Sequence, residues 1–173
     1  MGILKKGNTF ITLSNANKFL MIEALLMLGW ARILKSIPFR KVAPLLGEYM
    51  VETTKINNSL TSKLLKDVAF AIDIMSRNTI WESRCLVKAI AGMKMLERRK
   101  IESTLYLGTA KDRNGNLIAH AWLRSGEIYI TGHEEMHRFA IVSMFTKKVS
   151  SNDKDKGEGN EEHSSPQSKK LFK

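Results

Sequence analysis

The chain carries a single cysteine, Cys85, at the start of an apolar-periodic segment that predicts a helix. A thiol there is placed to become a thiolate, because the helix dipole and the unpaired first-turn N–H groups favour negative charge. His120 lies in the strand-like run Ile118-Ala119-His120-Ala121-Trp122-Leu123. A strand returning past the helix end brings an imidazole to the thiol. A thiolate and a base are the minimum apparatus for acyl transfer through a thioester, and the backbone N–H of Cys85 is placed to point at the developing oxyanion. His133 and His137, in or near a loop, are rival bases. The competing reading is that Cys85 is a small buried hydrophobe and His120 a satisfied strand residue.

A neutral imidazole needs a third group to hold its other ring nitrogen. A turn centred between Ser125 and Gly126 sets His120 opposite Thr131, with Gly132 next to it. Thr131 is one candidate, through its hydroxyl. Glu134 or Glu135, swinging back from the following loop, are the others. Arg77, Asn78 and Trp81 precede the helix start closely enough to be candidate substrate or oxyanion contacts. The alternative for these is a packing anchor at Trp81 and a surface ion pair at Arg77.

The elements that must position these groups follow from periodicity and punctuation. Residues 1–12 read as a loose arm or short strand. Ser14 or Asn15 caps a helix to about Lys35, with Leu20, Ala24, Met27 and Ala31 on one stripe and Phe19, Ile22, Leu26 and Trp30 beside it. Pro38 and Pro44 punctuate a short helix over about 40–52. A third helix runs from Ser59 or Thr61 to about Met75, and 76–82 is a connector. Ser83 is the expected cap of the Cys85 helix, which buries Leu86, Ala89, Ile90, Met93 and Leu96. Cys85, Ala89 and Gly92 form a stripe of small residues beside these. Strands are expected over 104–108, 117–123, 127–131 and 139–145, with Asn114-Gly115 as a hairpin signal. Helices followed by an antiparallel meander give an α+β fold class. The expected organisation is a helical region over 1–76 that docks a substrate or partner, a catalytic core over 77–149, and a polar tail over 150–173. That tail, which holds His163, is too poor in apolar residues to order itself.

Composition narrows the function classes. At 173 residues with 43% hydrophobic content, the chain can bury one real core. One cysteine excludes an internal disulfide and a tetrathiolate metal site, so a reducing, cytoplasmic setting is expected. No cofactor and no metal are expected. The net charge of +11 sits on the folded part, because the five Lys after residue 150 are balanced by five acidic residues. The first fifty residues hold seven cations against Glu23 and Glu48. Such a surface suits an acidic peptide; the scattered lysines lack the basic-aromatic interleaving of a nucleic-acid binder, so no nucleic acid is expected. The apolar run 19–34 is broken by Glu23 and Arg32 and falls short of the ~20 residues a membrane span needs, so membrane contact is not expected either.

Arg77, Trp81, Cys85-Leu86, Ala89, Leu96, Arg98-Arg99, the Leu105-Tyr106-Leu107-Gly108 strand and His120-Ala121-Trp122 together resemble the lasso-peptide leader peptidases. These are transglutaminase-like maturation proteins of bacterial lasso-peptide clusters, and the stand-alone Firmicute form is the one resembled. The resemblance implies a papain-like fold, with Cys85 as nucleophile and His120 as general base and then acid. It implies a ribosomally made precursor peptide as substrate, cut between leader and core. It also implies two partners: a small protein that recognises the leader, and a separate ATP-dependent cyclase that takes the core. The family pattern places an Asp twelve residues after the histidine; here Gly132 stands there, so the resemblance supplies no third residue. The alternatives are a transglutaminase-like acyltransferase or peptide ligase, and a non-catalytic scaffold of the same fold.

Overall fold

Helical spacing of apolar residues builds one layer of the molecule, described here from a computed structural model over residues 15–55 and 59–149. The expected N-terminal arm and the tail with His163 lie outside the described residues. Helix α1 (Asn15–Lys35) buries Leu20, Met21, Ala24, Leu28, Ala31 and Leu34. Leu20, Ala24 and Ala31 of the expected stripe are buried, Leu28 rather than Met27 completes it, and Phe19, Ile22 and Leu26 stand exposed. α3 (Ser59–Ser76) contributes Leu65, Val68, Ala71 and Ile72. α4 (Cys85–Glu97) is buried on nearly every side, including Val87, Ala91 and Met95 beyond its expected stripe.

Between α1 and α3 the expected helix over 40–52 is cut short. α2 spans only Phe39–Val42, and a 3₁₀ turn, Ala43–Leu46, leads into the two-residue strand β1 (Glu48–Tyr49). Pro44 supplies no N–H to continue the helix, and Gly47 takes φ 107°. A Cβ on Gly47 would stand 2.1 Å from the Thr146 carbonyl oxygen, so glycine is what lets this segment join the sheet.

The second layer is one antiparallel sheet of β1, β2 (Ser103–Lys111), β3 (Leu117–Ser125), β4 (Ile128–Thr131) and β5 (Ala140–Lys147). Its order is β1-β5-β2-β3-β4. The meander is therefore corrected: β5 leaves the β4 edge and pairs with β2 on the far side. Asn114-Gly115 does mark the β2–β3 hairpin, but Lys111 pairs with Leu117 and the loop is longer than two residues. Asp112 closes it by accepting the N–H groups of Asn114 and Asn116 at 2.8 Å each.

Leu105, Leu123, Ile130 and Phe145 face the helices in one continuous core. Each fully buried Leu or Ile contributes roughly 1.5–3 kcal/mol by removal from water. The stripe of small residues on α4 lets its neighbours approach closely: a Cβ on Gly92 would lie 2.8 Å from Leu123 of the sheet and 3.0 Å from Ile72 of α3. Glu23 ties α1 to the end of α4 within the helical layer, pairing with Arg98 at 3.0 Å and Arg99 at 3.1 Å.

On the opposite sheet face, buried Arg124 donates to Tyr106 Oη at 2.9 Å, Glu52 Oε1 at 2.7 Å and the Thr53 carbonyl at 3.0 Å. Tyr106 also donates to Glu52. Burial, reinforced by that hydrogen bond, pushes the Tyr106 hydroxyl up to about 12. The same bond, with Arg124 alongside, outweighs partial burial and holds the Glu52 carboxyl below its usual range.

Candidate functional site

Cys85 is the first residue of α4 and half-buried. The residue before it, Arg84, is extended at ψ 178° and acts as N-cap without a side-chain hydrogen bond. The expected Ser83 cap is corrected: Ser83 lies one residue too far back, and its hydroxyl instead meets Thr79 Oγ1 at 2.9 Å. The first turn of α4 thus presents its N–H groups at the thiol without a competing side-chain acceptor.

His120 comes from the sheet. It pairs with Gly108 on β2, and the β3–β4 ladder covers only residues 123–125 of β3. The expected pairing of His120 with Thr131 is corrected by the turn: Gly126 and Glu127 form the loop, Ser125 pairs with Ile128, and a bulge at Leu123/Arg124 puts Thr131 opposite Leu123. The chain then leaves β4 at Gly132 and passes the ring. His120 Nε2 lies 2.8 Å from the Gly132 carbonyl oxygen. A carbonyl only accepts, so Nε2 carries the hydrogen and Nδ1 is the ring's lone pair. The ring is flanked by Phe139 at 4.9 Å and Trp122 at 5.9 Å, and Trp122 stacks in turn on Tyr106 at 5.5 Å.

Cys85 and His120 line one open cleft of about 770 Å³. No hydrogen bond joins the thiol to the ring among the described residues; what they share is the wall of one cleft. Phe70, Tyr129 and Ile130 give the cleft apolar surface, while Arg77, Lys88, Glu134 and Glu135 charge its rim. An extended peptide, apolar along part of its length, suits such a surface.

A family model described as the transglutaminase-like superfamily matches residues 24–144, more than half of the chain and including both Cys85 and His120. The chain belongs to the transglutaminase-like superfamily. No curated protein and no solved structure matches it. The match runs across residue 76, as does the hydrophobic core, which joins α1 and α3 to α4 and the sheet of this transglutaminase-like protein.

The remaining sequence candidates divide by position. Thr131, Glu134 and Glu135 line the cleft, but none is hydrogen-bonded to His120. Thr131 Oγ1 is buried without a partner, Glu134 lies 3.8 Å from His133, and Glu135 lies 3.5 Å from Arg138. Arg77 lines the cleft while paired with Asp73 at 2.8 Å, the surface ion pair of the alternative reading. Asn78 donates to the Ile74 carbonyl at 2.6 Å, closing the end of α3. The Trp81 ring packs against Gly29 of α1, as a packing anchor would, with its Nε1 buried and unpartnered. Neither Asn78 nor Trp81 is among the cleft-lining residues. His133 lines the cleft beside Tyr129 and is exposed; His137 is exposed in the 3₁₀ turn Met136–Arg138. Sequence reasoning missed Gly108 and Phe139, which frame the His120 ring. Their signal was a glycine at the centre of an otherwise apolar strand, which marks a close approach.

Proposed function

We propose that this protein is a cysteine peptidase that cuts the leader from a ribosomally made lasso precursor peptide and so frees the core for a separate ATP-dependent cyclase. The observation that carries the reading is the one cleft shared by the only cysteine, at an uncapped helix start, and a histidine with its Nδ1 lone pair free. The arrangement corresponds to a papain-like plan: nucleophile on a helix N-terminus, base on an antiparallel sheet.

The chemistry follows from these groups. His120 Nδ1 takes the proton of the Cys85 thiol, and the thiolate attacks the carbonyl carbon of the last leader residue. The Cys85 N–H holds the oxyanion. The tetrahedral intermediate collapses, the C–N bond breaks, and the imidazolium gives its proton to the departing core amine. Water, deprotonated by His120, then adds to the thioester and expels the thiolate, which recovers its proton.

Substrate delivery is assigned to the helical side. Exposed Phe19, Ile22, Leu26 and Ile33 form an apolar face on α1, and Lys18, Arg32 and Lys35 belong to the same helix. This supports docking of the leader or of a small recognition protein there. The decisive experiment incubates the protein with a lasso precursor peptide, with and without a lysine analogue, and reads masses. Free leader and free core support the peptidase. An adduct of leader and amine assigns a transglutaminase-like acyltransferase instead, and unchanged precursor in the presence of the recognition protein assigns a scaffold.

A further inference from the structure

We infer that the main-chain carbonyl of Gly132 is the group that orients His120, so that this site works as a Cys–His pair positioned by backbone and without a carboxylate. The inference rests on the peptidase reading of Cys85 and His120. It begins with the 2.8 Å contact between His120 Nε2 and the Gly132 oxygen. That bond fixes the tautomer, because the carbonyl can only accept, and it fixes which nitrogen remains as base.

The carbonyl is aimed by a conformation that a side chain opposes. Gly132 has φ +74°, and a Cβ there would lie 2.5 Å from the Ala121 oxygen, 3.1 Å from Trp122 Cβ and 3.2 Å from His120 Nε2. An aspartate at 132 therefore cannot be fitted without displacing both β3 and the ring. The flanking rings of Phe139 and Trp122 oppose rotation of the imidazole, so one acceptor in its plane suffices to hold it. The rivals are engaged elsewhere or aimed away: Glu134 beside His133, Glu135 beside Arg138, each more than half exposed. Gly132 is thus a positioning residue acting through His120. A neutral acceptor sets tautomer and direction but adds no charge to balance the imidazolium, so orientation is its whole contribution.

The test uses the full chain with ¹⁵N-labelled histidine, the His120 signals being assigned by their loss in His120→Gln. At a pH where the ring is neutral, Nε2 is expected to be protonated and Nδ1 bare. The Glu134→Gln/Glu135→Gln double variant is expected to keep that tautomer, whatever its effect on peptide binding, because both side chains line the cleft. Gly132→Ala is expected to lose the Nε2–H signal and at least tenfold in kcat, with KM changed less than threefold. A ring protonated at Nδ1 overturns the inference, as does loss of the Nε2–H signal in the double glutamine variant. If Gly132→Ala does not fold, the tautomer of the parent protein and the double variant decide. A correct tautomer in a protein that cleaves nothing overturns the peptidase reading and leaves the orientation of the ring as assigned.

Discussion

Gly108→Ala tests whether the frame around His120 is as tight as it looks. Gly108 faces His120 across the β2–β3 ladder, and an added Cβ would lie 2.9 Å from Phe139 Cβ and 2.9 Å from two ring atoms of Trp122. Carbon atoms prefer about 3.5–4.0 Å, so each neighbour must retreat by roughly 0.6–1 Å. Phe139 Cβ is tied to backbone. Trp122 is backed by Tyr106, which Glu52 and Arg124 hold in place. Overpacking of this kind costs about 1–3 kcal/mol, offset by about 0.4–1 kcal/mol from the stiffer unfolded chain. A net loss of about 1–2 kcal/mol lowers Tm by about 2–8 °C in a chain of this size. The larger effect falls on function, because both rings that move are the ones flanking His120, and a misplacement near 1 Å costs about 100-fold in rate. Thermal melts and precursor cleavage at saturating substrate measure the two effects separately. A variant that melts within a degree of the parent and cleaves within twofold of it would refute the argument that Gly108 is required for the ring's position.

Two further outcomes concern the polar network on the same sheet face. Arg124→Met leaves Tyr106, Glu52 and the Thr53 carbonyl without their shared donor; Glu52 is 45% exposed and keeps water, so the loss is about 1–3 kcal/mol, read as a lower midpoint in urea at unchanged slope. The pH dependence has two limbs. Glu52 has a folded-state pKa below its ordinary value of 4.5, chiefly through the Tyr106 hydrogen bond, so its stabilisation is present above that value and is lost as pH falls through the folded one; Glu52→Gln flattens the acid limb. Tyr106 is raised from 10.0 to about 12, so its contribution is complete below pH 10 and is lost as pH rises through about 12; Tyr106→Phe removes that limb from the alkaline melt.

The two residues of the candidate pair were legible because the proposed chemistry is carried by side-chain type and local placement. Cys85 at a helix start and His120 on a strand follow from periodicity, and the helices-then-sheet order follows from the change of period near residue 103. The group bonded to His120 was not legible, for two physical reasons. A backbone carbonyl has no signature in sequence, and the register that pointed to Thr131 missed the Leu123/Arg124 bulge and put the turn too early. The place of β5 was hidden because neighbours in sequence usually pair in space, whereas here β5 crosses to β2. The Arg124 network was missed because Glu52 and Thr53 fall where a helix was expected to end; only the fold brings them over the sheet.

The central claim is that Cys85 and His120 act as one nucleophilic pair, and alkylation of the only cysteine tests it most directly. Iodoacetamide is expected to label the folded protein rapidly near neutral pH, with the rate falling at least tenfold in His120→Ala at unchanged circular dichroism. Equal rates in the two proteins, or labelling that waits for unfolding, would show that Cys85 is an inert core thiol and would contradict the account.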